Sequence, residues 1–140
     1  MKIFKSMAIS GSALTAEKLR LDIIANNLAN INTTRTPQGG PYRRQVALFA
    51  QNLERASFKA GASPSGVRVA YIAHDSTPPK LVYEPDHPDA NDEGYVALPN
   101  VDVIKEMVDM VTATRSYEAN VTVLNAAKNM FLKALEIGRG

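Results

Sequence analysis

The sequence of 140 residues predicts a mainly α fold, with long N- and C-terminal helices packed as a coiled-coil-like pair and a short antiparallel β insertion between them. Two observations predict this arrangement. Apolar residues recur every seven positions at both ends of the chain, and all eight prolines fall between Pro37 and Pro99. Because proline costs about 3 kcal/mol inside a helix, only the two ends can form long uninterrupted helices.

The N-terminal end predicts an amphipathic helix over about residues 3–29. Its apolar positions share one face and comprise Met7, Leu14, Leu21 and Leu28, with Ile24 one turn away. The small residues Ala8, Ser12 and Ala16 stand four apart on this helix and would let a second helix approach closely. We expect the helix to end at the polar run 30–34, where short side chains compete for backbone hydrogen bonds.

The C-terminal end predicts a longer helix, because neither glycine nor proline occurs between Val101 and Ile137. Its length would be about 55 Å at 1.5 Å per residue. The first apolar column is Val103, Met110, Tyr117, Leu124 and Phe131, and the second is Met107, Val121 and Leu135, with Thr114 and Lys128 as polar interruptions. Asn100 or Asp102 would cap its start, and Gly138 would end it.

The predicted N-terminal helix is about ten residues too short to cover the C-terminal one. Part of the apolar seam is therefore left over, which indicates association with other chains. We assign both seams to subunit interfaces. We add Asn27 and Asn120, because a buried amide in a helix contact fixes its register. Exposed asparagines without a role are the alternative.

The middle of the chain predicts short strands at 41–49, 66–73 and 80–84, where β-branched and aromatic residues lie between turn residues. An acidic loop would follow over 85–100. These boundaries divide the chain into residues 1–34, 35–100 and 101–140, and the first and third would together form one helical layer.

Charge is distributed unevenly along the sequence. Residues 1–59 carry nine basic against three acidic side chains, whereas residues 60–100 carry two against six. Opposite patches of this kind can meet between neighbouring copies. The candidate contacts are Arg35, Arg43 and Arg44 on the basic side and Asp86, Asp89, Asp92 and Glu93 on the acidic side. Solvated faces without a partner are the alternative.

No catalytic or cofactor-binding constellation is present in the sequence. The absence of cysteine excludes disulfides and thiolate metal sites, and the two histidines lack zinc-ligand spacing. The loop from Asp89 to Gly94 begins like a calcium-binding loop, but Asn100 occupies the position of the closing glutamate. RNA binding by residues 35–44 is weakly supported, because Tyr42 is the one aromatic residue there. We expect no enzymatic activity, cofactor, metal, nucleic acid or small-molecule substrate.

Two stretches at the ends carry a family resemblance. Residues 21–33 (LDIIANNLANINT) resemble the N-terminal signature of bacterial flagellar rod and hook proteins, and residues 106–121 (EMVDMVTATRSYEANV) resemble their paired C-terminal signature. Residues 34–44 (TRTPQGGPYRR) depart from most axial relatives, which have a glycine and an aromatic residue there. That departure, with residues 66–69 (GVRV) and 87–96 (HPDANDEGYV), is similar to the proximal-rod branch.

The resemblance covers nearly the whole chain and implies a structural subunit of the flagellar basal-body rod, outside the inner membrane. In such proteins both terminal helices form a shared layer stacked in a helical tube, and the middle unit projects outward. The resemblance implies export by the flagellar type III apparatus without a cleaved signal or membrane insertion. It implies other rod subunits as partners, with copies of the same chain as a further candidate. The rival interpretation is a helical adaptor that forms a closed dimer or trimer.

Overall fold

The computed structural model describes residues 2–54 and 63–139. Its elements are, in chain order, α1 (Lys2–Ala29), β1 (Gln45–Glu54), β2 (Ser63–His74), β3 (Lys80–Tyr83), β4 (Tyr95–Leu98) and α2 (Val103–Arg139). The two terminal helices pack against each other, and antiparallel strands lie between them in sequence. The predicted mainly α fold class is confirmed.

The helix pair is antiparallel. At one end the rings of Phe4 and Phe131 meet edge to face, with their centroids 5.3 Å apart. At the other end Asn27 contacts Glu106. Since α1 has 28 residues and α2 has 37, the end of α2 extends beyond the start of α1.

The column that α2 buries differs in part from the predicted one. The buried residues of α2 are Glu106, Ala113 and Ala127, which lie one position before the predicted second column. Met107 and Leu135 stay exposed. The small side chains of Ala113 and Ala127 let the backbones of α1 and α2 approach closely. The small residues of α1 predicted a close approach of this kind.

The strands form two separate antiparallel hairpins rather than one sheet. The first pairs β1 with β2, from Gln45 opposite His74 to Glu54 opposite Ser63. The second pairs β3, which matches the predicted strand at 80–84, with β4. Because β4 lies inside the predicted loop over 85–100, the prediction of an unbroken loop there was wrong. A strand of four residues beside Asp, Asn and Gly is too short for periodicity to reveal it.

The two hairpins are attached in different ways. The first packs on α1, where the backbone N–H of Val67 donates to Ser12 Oγ at 3.1 Å. In the described part of the chain, the second packs against neither helix and not against the first hairpin. It is tied to the α1–β1 loop, since Thr34 Oγ1 donates to Asp89 Oδ2 at 2.7 Å.

The start of α2 agrees with the prediction, because Asp102 Oδ1 accepts hydrogen bonds from the backbone N–H of Ile104 and of Lys105. The predicted stop at Gly138 is wrong, because α2 continues to Arg139. Within 2–54 and 63–139, no helix is long and apolar enough to cross a bilayer.

Candidate functional site

A buried polar cluster joins the helix pair to the rest of the chain. We call its three central residues, Asn27, Arg44 and Glu106, the polar clasp. Glu106 is 0% exposed. Its Oε1 accepts from Arg44 Nε at 2.5 Å and its Oε2 accepts from Asn27 Nδ2 at 3.0 Å. Each carboxylate oxygen therefore has a partner, which a buried charge requires.

Asn27 of α1 also holds the first residue of β1. Its Nδ2 donates to the carbonyl of Gln45 at 2.8 Å, and its Oδ1 accepts from the backbone N–H of Gln45 at 2.9 Å. Tyr42 Oη donates to the same Oδ1 at 2.9 Å. Burial, together with the charge of Glu106, raises the pKa of Tyr42 above its ordinary value. One side chain thus fixes where the first hairpin begins on the helix.

Arg44 connects this point to α2 and to the end of β2. Besides Glu106, its guanidinium lies 3.2 Å from Asp109 Oδ2 and 3.6 Å from Asp75 Oδ2. Its backbone N–H donates to Asn100 Oδ1 at 2.8 Å, just before α2 begins. Residues distant in sequence therefore meet at one cation, and folding of the helix pair is coupled to folding of the first hairpin.

Two aspartates of the loops have lowered pKa values. Hydrogen bonds from the Thr77 hydroxyl and backbone N–H lower the pKa of Asp75, with help from Arg44. A hydrogen bond from the Thr34 hydroxyl lowers the pKa of Asp89, and the guanidinium of Arg35 adds to the effect. Both carboxylates are held in their ionised form by their folded surroundings.

We expect these two groups to make the protein sensitive to acid. A carboxyl whose pKa is lowered by folding stabilises the folded state at pH values above its ordinary pKa of 3.8. That contribution disappears as the pH falls through the lowered value. Measured as the free energy of unfolding against pH, Asp89→Asn should lose less stability than the unaltered chain between about pH 5 and pH 2. Parallel profiles for the two proteins would contradict this assignment.

The predicted interface residues occupy three kinds of position. Ile24 and Asn27 are buried within the chain itself, and Asn27 is 1% exposed. The half-buried ones are Met7, Leu14, Leu21, Leu28, Met110, Tyr117, Asn120, Val121, Leu124 and Phe131. The exposed ones are Val103, Met107 and Leu135. The last group is 44–56% exposed and so could contact another chain, and assignment of the set to subunit interfaces stays a prediction.

The predicted charge contacts divide in a similar way. Arg44 is enclosed by carboxylates of its own chain, and Arg35 forms an ion pair with Asp89. The remaining four are exposed and have no ion-pair partner among the described residues: Arg43, Asp86, Asp92 and Glu93. These four are the predicted charges that another chain could still neutralise.

An apolar surface on α2 lies largely outside the predicted columns. We call it the α2 patch, and its members are Ile104, Met107, Val108 and Val111. They are between 56% and 76% exposed. Their spacing of three and four residues places them on one side of the helix, away from the buried Glu106 and Ala113. The spacing of these four apolar residues was visible in the sequence, but the longer seven-residue repeat was used to predict the interface instead.

Family models match both ends of the chain. The model described as flagella basal body rod protein matches residues 7–35, and the model described as flagellar basal body rod FlgEFG protein C-terminal matches residues 92–137. The first matched segment contains Asn27 and the second contains Glu106, so the clasp joins the two matched regions.

Whole-chain relatives give a narrower assignment. The flagellar basal-body rod protein FlgC of Borreliella burgdorferi is 47% identical, with all of both chains covered. The protein of the same name from Bacillus subtilis is 48% identical, covering 99% of this chain and 100% of its own. That from Salmonella typhimurium is 43% identical with the same coverage. The chain therefore belongs to the FlgC family, the structural proteins of the flagellar basal-body rod.

Proposed function

We propose that this rod subunit polymerises through the uncovered faces of its two terminal helices and thereby transmits motor torque along the rod. The main support is the α2 patch, which places four large exposed apolar side chains within about two turns of α2. The opposite side of this helix already packs on α1. Full burial of one such side chain contributes about 1.5–3 kcal/mol. Covering the patch would therefore stabilise a contact between subunits by several kcal/mol before the cost of association.

The length difference between the helices supports the same proposal. Among residues 2–54 and 63–139, no helix packs beside the end of α2, and Ile137 there is 82% exposed. Apolar residues also continue along the second half of α2 at Val123 and Met130. Neighbours on more than one side of α2 would cover these residues, as in a tube of packed helices. Such neighbours would be other rod subunits, and copies of this chain are a further candidate.

Val111→Glu tests the proposal. The side chain is exposed, so the free energy of unfolding of the free subunit should change by less than about 0.5 kcal/mol. A charge in the patch should lower incorporation into rods at least about tenfold and abolish swimming, because it would have to be desolvated in the contact. Incorporation is measured by the amount of this chain in purified basal bodies.

The matched control is Ala119→Glu, which adds the same charge at an exposed position of α2 about two turns beyond the patch. It should reduce incorporation much less. Equal incorporation of the two variants would contradict assembly through this face. A discrete dimer or trimer of the unaltered chain in sedimentation, without growth at higher concentration, would favour the closed adaptor instead.

A further inference from the structure

The second hairpin carries an apolar and acidic surface that its own chain does not use. We call residues 80–98 the acidic arm. Leu81, Tyr83 and Tyr95 share one face of the arm and are 65%, 63% and 42% exposed. Four exposed carboxylates surround the tip without an ion-pair partner in the described chain: Glu84, Asp86, Asp92 and Glu93. An apolar face surrounded by negatively charged side chains is typical of a protein–protein contact surface.

A surface of complementary character lies between α1 and β2. We call it the basic groove. It has a volume of about 590 Å³ and an apolar floor that includes Leu19 and Val69. Lys18 and Arg68 line it, and neither has an ion-pair partner among the described residues. Asp22 is the acidic residue in its lining.

We propose that the acidic arm of one copy docks in the basic groove of a second copy of this chain. The inference rests on the proposed assembly into a rod and names one of its contacts. The carboxylates at the tip would face Lys18 and Arg68, and the aromatic face would cover the apolar floor. The groove is not filled by the strands of its own chain's arm, because β3 and β4 pack against neither α1 nor β2.

The symmetry of this contact suits a rod. Arm and groove are different surfaces, so each copy donates one and offers the other, and the contact is head-to-tail. A head-to-tail contact builds a ring or a helix rather than a closed pair. The unpaired charges on both sides also steer the two surfaces together and penalise an inverted approach.

Charge reversal tests the pairing directly. Lys18→Glu with Arg68→Glu gives a chain whose arm and groove are both acidic, and Asp86→Lys with Asp92→Lys and Glu93→Lys gives a chain in which both are basic. Each chain alone should incorporate into rods at least about tenfold less than the unaltered protein, because like charges face each other. Cells that express both chains should recover swimming and incorporation to within about threefold, because alternating copies of the two chains place each arm in a groove of opposite charge.

Crosslinking identifies the partner. The chain has no cysteine, so Asp86→Cys and Leu19→Cys, each in a separate copy, introduce the sole thiols. Oxidised basal bodies that contain both copies should yield a disulfide-linked pair of this chain, and basal bodies with either copy alone should not. Failure of recovery, absence of the linked pair, or capture of the Asp86→Cys arm by a different rod protein overturns the inference. None of these outcomes affects the Val111→Glu test, so the two proposals fail separately.

Discussion

Arg44→Met is expected to destabilise the folded chain by about 3–5 kcal/mol, because it leaves Glu106 buried without its cation. Glu106 is fully enclosed, and the amide of Asn27 alone cannot compensate a carboxylate there. The loss should appear as a lower free energy of unfolding in a denaturant titration. It should also appear as faster amide exchange in the first turns of α2 and at the start of β1, because the clasp holds both.

The control is the same substitution in a chain that also carries Glu106→Gln. The amide has the shape of the carboxylate but no charge, so the double variant should recover part of the stability lost by Arg44→Met alone. Additive losses in this double-mutant cycle would mean that Arg44 and Glu106 contribute to stability independently. The ion pair in the clasp would then have no coupling energy.

Gly66→Ala is expected to weaken the contact between the first hairpin and α1 at a cost of about 3 kcal/mol. Gly66 has a φ of +117°, a conformation that side chains with a Cβ adopt only under strain. An added Cβ would also overlap Ser12 Oγ and lie 3.1 Å from Ser12 Cβ. The hydrogen bond from Val67 to that hydroxyl would be lost with the close approach. Amide exchange of Val67 and the free energy of unfolding measure the effect.

Gly11→Ala is the matched control, since Gly11 adjoins Ser12 on α1 and has no atom within 4 Å of an added Cβ. Alanine favours a helix interior over glycine by about 0.8–1 kcal/mol, so this variant should be more stable than the unaltered chain. A Gly66→Ala chain that is as stable as the Gly11→Ala chain would show that the hairpin does not depend on this approach.

The long helices were predictable from the sequence, because a period of seven over several turns is a signal that accidental spacing rarely imitates. The predicted bounds of 3–29 and 101–137 differ from the observed ones by two residues or fewer. The hairpin of β3 and β4 was only half predicted. Its second strand, β4, has only four residues. That strand is defined by its pairing with β3 and not by a pattern in its own sequence.

The clasp was missed because nothing local marks it. Arg44 and Glu106 lie 62 positions apart, and a single arginine in a basic cluster is more often exposed. Asn27 was predicted to fix the register of a helix contact, and it does contact α2, but its main partner is the backbone of β1. A pattern of side chains cannot predict a contact that an amide makes with the main chain of another element.

The unequal lengths of α1 and α2 have a consequence for any column of such molecules. If copies stack along an axis as proposed, a projecting helical end would occupy the axial level at which the following molecule begins, and consecutive layers would interlock instead of meeting at a flat boundary. We expect torque to press the interlocked helices sideways against one another, and close-packed side chains resist such compression well. Slippage between two smooth discs would meet no such obstacle.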